Sequence, residues 1–75
     1  MISAIVLIQS NYSSIPEVKR QVRKIVGLDF LYEIIDSYNL VLKLSAETKE
    51  ELKDKVTEII NLREVLNVLS LIILS

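Results

Sequence analysis

The chain has 75 residues, of which 51% are hydrophobic, and its formal net charge is −1. A chain of this length forms one domain, residues 1–75, and buries only ~60% of the surface that its unfolded form exposes. The apolar residues exceed what one small core can hide, which predicts an oligomer interface. The sequence contains no cysteine and no histidine. Disulfides, thiolate nucleophiles and histidine-based metal or acid–base sites are therefore excluded.

Charge and hydropathy also limit the partners and the location. A net charge of −1 gives no broad attraction to nucleic acid or to anionic lipid. The N-terminus lacks the basic stretch of a signal peptide. The uncharged run from Val65 to Ser75 is shorter than the ~20 apolar residues that a membrane span needs. We therefore expect a cytoplasmic protein without membrane contact, direct nucleic-acid binding, cofactor or bound metal.

The first half of the chain predicts a strand, a helix and a second strand. Ile2 to Gln9 are apolar in both alternation sets, which is typical of a strand covered on both faces. Ser14-Ile15-Pro16-Glu17 has the pattern of a capping box with proline in the first turn. Apolar residues at helical spacing follow, and we expect Gly27 to end this helix. Phe30 to Ile35, rich in aromatic and β-branched residues, predicts the second strand.

The second half predicts a hairpin, a helix and a last strand. Asp36-Ser37-Tyr38-Asn39 is a turn-forming link, and Leu40 to Ser45 alternates as expected for a strand with one fully apolar face. Thr48-Lys49-Glu50-Glu51 is a second capping box and opens an amphipathic helix. Val65 to Leu74 is a long apolar strand. At the edge of a sheet such a strand would be an aggregation template unless an assembly buried it.

The order βαββαβ with short links predicts a ferredoxin-like α+β fold. Right-handed crossovers place the first and third strands in the centre of an antiparallel four-stranded sheet, with both helices on one face. The other face then has no cover within the chain, and we expect the protein to dimerise through it. The residues predicted to form this interface are Ile5, Leu7, Val41, Leu69, Leu71 and Ile73. Because the first and last strands are apolar in both alternation sets, the alternate set of either strand is the other interpretation.

Two groups of charged residues could suggest chemistry, and in both cases a solvated face is favoured. Asp29, Glu33 and Asp36 follow one strand and its turn, but acid–base catalysis needs a shared cleft with perturbed pKa values. The basic residues between Lys19 and Lys24 are not interleaved with aromatic side chains that could stack on bases. We predict no catalytic residues and no enzyme activity.

The turn Asp36-Ser37-Tyr38-Asn39 is the candidate ligand site. It offers a carboxylate, a hydroxyl, a phenol and an amide within four residues. These groups together could hold a small polar molecule that carries an ammonium and a carboxylate group. The alternative interpretation is a plain hairpin turn with a half-buried tyrosine.

The stretch from Asp36 to Leu44, followed by Glu47 to Leu52, resembles the pattern "Gly-x-Tyr-Asp, apolar strand, acidic helix start" of the effector-binding (RAM) domain of Lrp/AsnC transcriptional regulators. The ending from Arg63 to Ile73 is similar to the closing strand of that domain. The resemblance covers nearly the whole chain and implies a stand-alone, non-enzymatic, oligomeric regulatory module without a helix-turn-helix. It also implies an amino acid or similar effector bound between dimers at the turn, and it makes a full-length regulator of the family a candidate partner.

Two differences from the family pattern affect the implied ligand. Asp36 stands where the family has glycine, and Asn39 stands where it has aspartate. The resemblance therefore implies weak binding or an unusual effector, because an amide contacts an ammonium group less strongly than a carboxylate does. The element order is also similar to that of NapD-type chaperones, which bind a twin-arginine signal peptide along a sheet edge. A dimer or a closed ring favours the regulator family, whereas a monomer with a free edge strand favours the chaperone.

Overall fold

The structure, a computed structural model that describes residues 1–73, has the predicted order of strands and helices. The elements are β1 (Ile2–Ser10), α1 (Ile15–Val22), β2 (Leu28–Glu33), β3 (Leu40–Ala46), α2 (Lys49–Ile60) and β4 (Val65–Ile73). A single 3-10 turn at Tyr12–Ser14 leads from β1 into α1. The strands form one antiparallel sheet in the order β2-β3-β1-β4. The predicted ferredoxin-like fold, with the first and third strands in the centre, is confirmed.

The hydrophobic core lies between the two helices and one face of the sheet. Alternate residues of the two central strands and one stripe of each helix form it, and the fully buried ones are Ala4, Val6, Ile8, Val18, Val22, Leu40, Leu42, Leu44, Leu52 and Ile59. Strict alternation in β1 and β3 directs one set of side chains to the helices and the other set to the opposite face. In the described residues both helices cover the same side of the sheet, and neither is long and apolar enough to cross a membrane.

The first helix is shorter than the sequence indicates. It ends at Val22, and the prediction that it runs on to Gly27 is wrong. The chain tightens after Val22, because the amide nitrogen of Ile25 donates to the carbonyl oxygen of Val22 at 3.0 Å instead of continuing the α-helical pattern. Ile25 still packs on the core from this turn, whereas Val26 is 81% exposed.

The two predicted capping boxes differ in outcome. Thr48 has an extended backbone, and its hydroxyl accepts a hydrogen bond from the amide of Glu51 at 3.2 Å, as predicted. Ser14 already has a helical backbone (φ −95°, ψ −8°), and its side chain makes no capping hydrogen bond. The carboxylate of Glu17 instead binds Arg20 within the helix. The 3-10 turn before α1 explains the difference, since it brings Ser14 into the helix before it can act as a cap.

The second strand begins and ends two residues earlier than predicted. It starts directly after Gly27, which has φ +95° and whose carbonyl oxygen accepts from the amide of Ser45 at 2.9 Å. A register shift follows between Leu28 and Phe30. The link to β3 therefore comprises residues 34–39, and Ile35 is fully exposed. In the last strand the predicted end, Leu74, lies outside the described residues.

Candidate functional site

The sheet face turned away from the helices, called the open face below, carries all six residues predicted to form the interface. The registers bring them together, because directly paired residues share a face of a sheet. Leu7 pairs with Val41 on one side and with Leu69 on the other. Ile5 pairs with Leu71, and Ile73 lies at the end of the same row. An aliphatic patch thus crosses the three strands β3, β1 and β4.

The patch is partly exposed to solvent in the single chain. Its members in β1 and β3 are half-buried by their neighbours, whereas Leu69, Leu71 and Ile73 are 43%, 55% and 42% exposed. A group of large aliphatic side chains exposed side by side marks an interaction surface rather than ordinary solvent-facing residues. The open face is therefore the strongest candidate surface of this molecule.

Three further side chains extend the open face beyond the predicted set. Phe30 and Tyr32 lie on β2 and stack with their ring centroids 5.3 Å apart. Lys43 of β3 pairs with Ile5 and with Phe30, so its aliphatic stem lies between them. The sequence signal for all three was the alternation of β2 and β3, once the leucines of β3 are assigned to the core.

Polar side chains occupy the two ends of the open face. At one end the amide of Asn67 donates to the side-chain oxygen of Gln9 at 2.7 Å. At the other end the hydroxyl of Ser45 donates to Asp29 at 2.6 Å and lies 3.1 Å from the hydroxyl of Ser3. These pairs bond to each other within the chain, so a partner could cover the apolar centre without stranding them.

The structure divides the four residues of the turn into two kinds. Asp36 and Ser37 are exposed and Tyr38 is half-buried; a carboxylate oxygen of Asp36 accepts from the amide of Ser37 at 2.7 Å. Asn39 is buried, and its side-chain oxygen accepts from the amide of Ser10 at 2.7 Å. The oxygen of this amide therefore holds the end of β1 against the start of β3.

The turn also has a neighbour that the sequence did not single out as part of the site. Because Asn39 is bonded to Ser10, the 3-10 turn that follows β1 lies at the same end of the sheet. This segment supplies Asn11, Tyr12 and Ser13, all of which are exposed. In the sequence, the only sign of this segment is its polar composition, which by itself indicates a loop and not a part of a site.

The charged side chains of the described residues are arranged as ion pairs and solvated faces. No group of three or more Asp or Glu residues in residues 1–73 is placed to hold a metal ion. The pKa of Glu17 is lowered from its usual value, chiefly by hydrogen bonds from Arg20 and then from Gln21. The same contact raises the pKa of Arg20. Both side chains lie on the exposed side of α1, so the pair is an ordinary surface ion pair.

No family model and no curated protein matches the chain. Solved structures do match. The crystal structure of TTHA0845 from Thermus thermophilus has a TM-score of 0.91 at 26% identity and covers 100% of this chain and 95% of its own. FFRP-DM1 has a TM-score of 0.92 at 21% identity, with 99% and 100% covered. E. coli AsnC has a TM-score of 0.86 at 14% identity, covering 99% of this chain and 51% of its own.

The chain has the fold of the RAM domain of Lrp/AsnC proteins. The likeness extends over the whole described sheet and both helices, and it confirms in fold the resemblance carried by the turn and the closing strand. Two of these neighbours are as short as this chain, whereas AsnC is about twice as long. The same RAM-like fold also occurs in a siroheme decarboxylase, of which this chain spans 25%. The fold alone therefore does not decide between regulation and catalysis.

Proposed function

We propose that the chain is a non-enzymatic regulatory module of the Lrp/AsnC kind that works in the cytoplasm as a homo-oligomer, at least a dimer. The observation that carries this proposal is the open face, with its aliphatic centre and its internally bonded polar ends. A second copy is the occupant that suits it best, because two-fold symmetry brings the same patch onto itself. Two sheets can then pack face to face about 10 Å apart, as in a β-sandwich.

Lys43 is compatible with such a packing. Its position between Ile5 and Phe30 lets the aliphatic stem contribute to the apolar centre. The ammonium group can extend toward solvent at the boundary, as long basic side chains do at interfaces.

Solution mass is the first test of the assembly. We expect sedimentation at micromolar concentration to give at least a dimer of the 8.6 kDa chain. A monomer across the micromolar range would contradict the proposal. It would instead favour a chaperone that binds a signal peptide along the free edge of β4, and a twin-arginine peptide titrated against the monomer would test that alternative.

We further propose that a small polar effector, such as an amino acid, binds at the turn where it meets a neighbouring subunit. Asp36 has one carboxylate oxygen bonded to the amide of Ser37, and its other oxygen can accept from an ammonium group. The Ser37 hydroxyl and the Tyr38 phenol add hydrogen-bonding groups. Asn39 contributes by fixing the turn to β1. A full-length regulator of the same family could supply the neighbouring subunit.

Calorimetry with the twenty amino acids tests the effector site. We expect weak binding of at least one of them to the wild type and at least a tenfold loss in Tyr38→Ala. Tyr12→Ala is the matched control, since it removes an exposed tyrosine from the adjoining loop. Binding that Tyr38→Ala leaves unchanged would place the site elsewhere, and no binding at all would leave an assembly module without an effector at the turn.

A further inference from the structure

A pocket of about 260 Å³ lies on the helix layer, where the end of α1 and the end of α2 approach each other. Its lining residues are Arg20, Gln21, Lys24, Ile25, Glu58 and Leu62. Ile25 and Leu62 also pack against the hydrophobic core, so they form an apolar floor. The other four side chains are polar and stand around that floor. The pocket is separate from both the open face and the turn at residues 36–39.

The lining of this pocket carries charges of both signs. Arg20 lies in the last turn of α1 and Lys24 in the turn that follows the helix, and both positively charged side chains line the pocket. Glu58 approaches from α2. Among residues 1–73 the ion pairs join Lys19 to Glu33, Arg20 to Glu17 and Arg63 to Glu64. Lys24 and Glu58 thus line one pocket without being paired within 4.0 Å of each other.

Arg20 and Gln21, two side chains of the pocket lining, are held in place by hydrogen bonds. Glu17 accepts from Nε of Arg20 at 3.0 Å and from Nη2 at 2.5 Å, and it also accepts from Gln21 at 2.8 Å. Gln21 reaches on to Glu64 at 3.4 Å. A guanidinium group has five N–H donors, so Arg20 keeps donors for a further acceptor. Side chains fixed before binding lose less conformational entropy when a ligand arrives.

We propose that this pocket binds a small zwitterion with an aliphatic body, of the size and charge separation of an α-amino acid. The carboxylate contacts Arg20 and Lys24, the ammonium group contacts Glu58, and the aliphatic part rests on the floor. A simple anion would leave Glu58 unmatched, and a simple cation would leave the basic side unmatched. The volume lies just below the usual range of about 300–1,000 Å³ for drug-sized ligands, which suits a smaller molecule.

NMR titration of the whole chain with L-leucine tests the pocket. We expect saturable shifts of the backbone amides of Ile25 and Leu62. Lys24→Gln and Glu58→Gln should each weaken binding about tenfold or more, since each removes a charge-assisted contact. The matched controls are Lys53→Gln and Glu50→Gln, which remove exposed charges of α2 that do not line this pocket. These controls should leave the affinity unchanged.

Two ligand analogues separate a zwitterion site from a site for one charge. Isopentylamine lacks the carboxylate and 4-methylpentanoate lacks the ammonium group, and each should bind at least tenfold more weakly than L-leucine. Equal binding of either analogue would overturn the zwitterion assignment. Shifts confined to the turn and abolished by Tyr38→Ala would overturn the pocket while supporting the effector site proposed above. The absence of shifts at Ile25 and Leu62 at tens of millimolar ligand would also overturn it.

Discussion

Replacing Leu71 by aspartate separates assembly from folding. Leu71 lies on the open face opposite Ile5 and is 55% exposed in the single chain. An aspartate there can remain hydrated in a monomer. In a dimer that covers the open face, the same carboxylate loses its water and finds no cation directly beside it, since its paired neighbour is an isoleucine.

The size of the effect follows from that exposure. Full burial of a leucine side chain stabilises by about 1.5–3 kcal/mol. Because Leu71 is still about half exposed in the single chain, roughly half of this stabilisation, about 1–1.5 kcal/mol per copy, is gained only when the dimer forms. The substitution removes this stabilisation from both copies, because a two-fold interface contains residue 71 of each chain. Each buried carboxylate adds a desolvation cost of several kcal/mol. A total above about 5 kcal/mol raises the dimer dissociation constant by about four orders of magnitude.

Sedimentation velocity over a concentration series measures this change. We expect the wild type to be at least a dimer at micromolar concentration and Leu71→Asp to be a monomer, or unfolded if the monomer is unstable alone. The matched control is Ile60→Asp. It places the same charge on α2 at a residue that is 53% exposed, and it should leave the dimer intact. A folded Leu71→Asp dimer of wild-type affinity would refute the role of the open face, as would equal dissociation of both variants.

Three further changes test single residues. Gly27→Ala should lower the free energy of unfolding by about 2–4 kcal/mol in urea, since φ is +95° and the new methyl group would meet a backbone carbonyl oxygen of β3; a wild-type midpoint would contradict this. Asn39→Ala should cost about 1–3 kcal/mol, because the amide of Ser10 loses its acceptor, and an unchanged melting curve would show that water replaces it. Glu17→Gln should make the free energy of unfolding fall less steeply as the pH is lowered into the acid range. Arg20 lowers the pKa of Glu17, so that stabilisation is complete above the ordinary pKa and is lost as the pH falls through the lowered one; equal acid loss in both proteins would contradict it.

The fold could be predicted because its strongest signals are local and periodic. The leucines of β3 alternate without exception, and the hydroxyl of Thr48 marks the start of α2. The end of α1 could not be predicted from spacing. Ile25 continues the helical pattern and does reach the core, yet it does so from a turn. Gly27 is expected from the sequence to end the helix, but its positive φ leads the chain into β2 instead.

The candidate surfaces were predictable only as far as local periodicity determines them, because a local pattern does not show which distant strands meet. The period of two assigned the open face correctly in β3, whereas β1 and β4 are apolar in both alternation sets. Pairing in the structure carries the assignment from β3 to Ile5 and Leu7 in β1 and on to Leu71 in β4. The register of β4 includes an irregularity beside Gln9 that no local pattern reveals. The bond from Ser10 to Asn39 joins residues 29 positions apart. A sequence pattern shows that Asn39 stands in a turn, but it cannot show that its oxygen is already bonded to another strand.

Part of the apolar excess of this chain is concentrated on the open face. The surface of the single chain is 4800 Å², close to the ~4,700 Å² expected for a monomer of 8.6 kDa, so the fold is as compact as a typical monomer of this size. The helices cover the two central strands on one face of the sheet, and on the other face the exposed aliphatic side chains Leu69, Leu71 and Ile73 lie beside Ile5 and Leu7. A small core and one concentrated patch together couple folding to association, because a partner that binds only the folded chain stabilises it by mass action. The melting temperature should therefore rise with protein concentration in the wild type, and this dependence should vanish once the patch carries a charge.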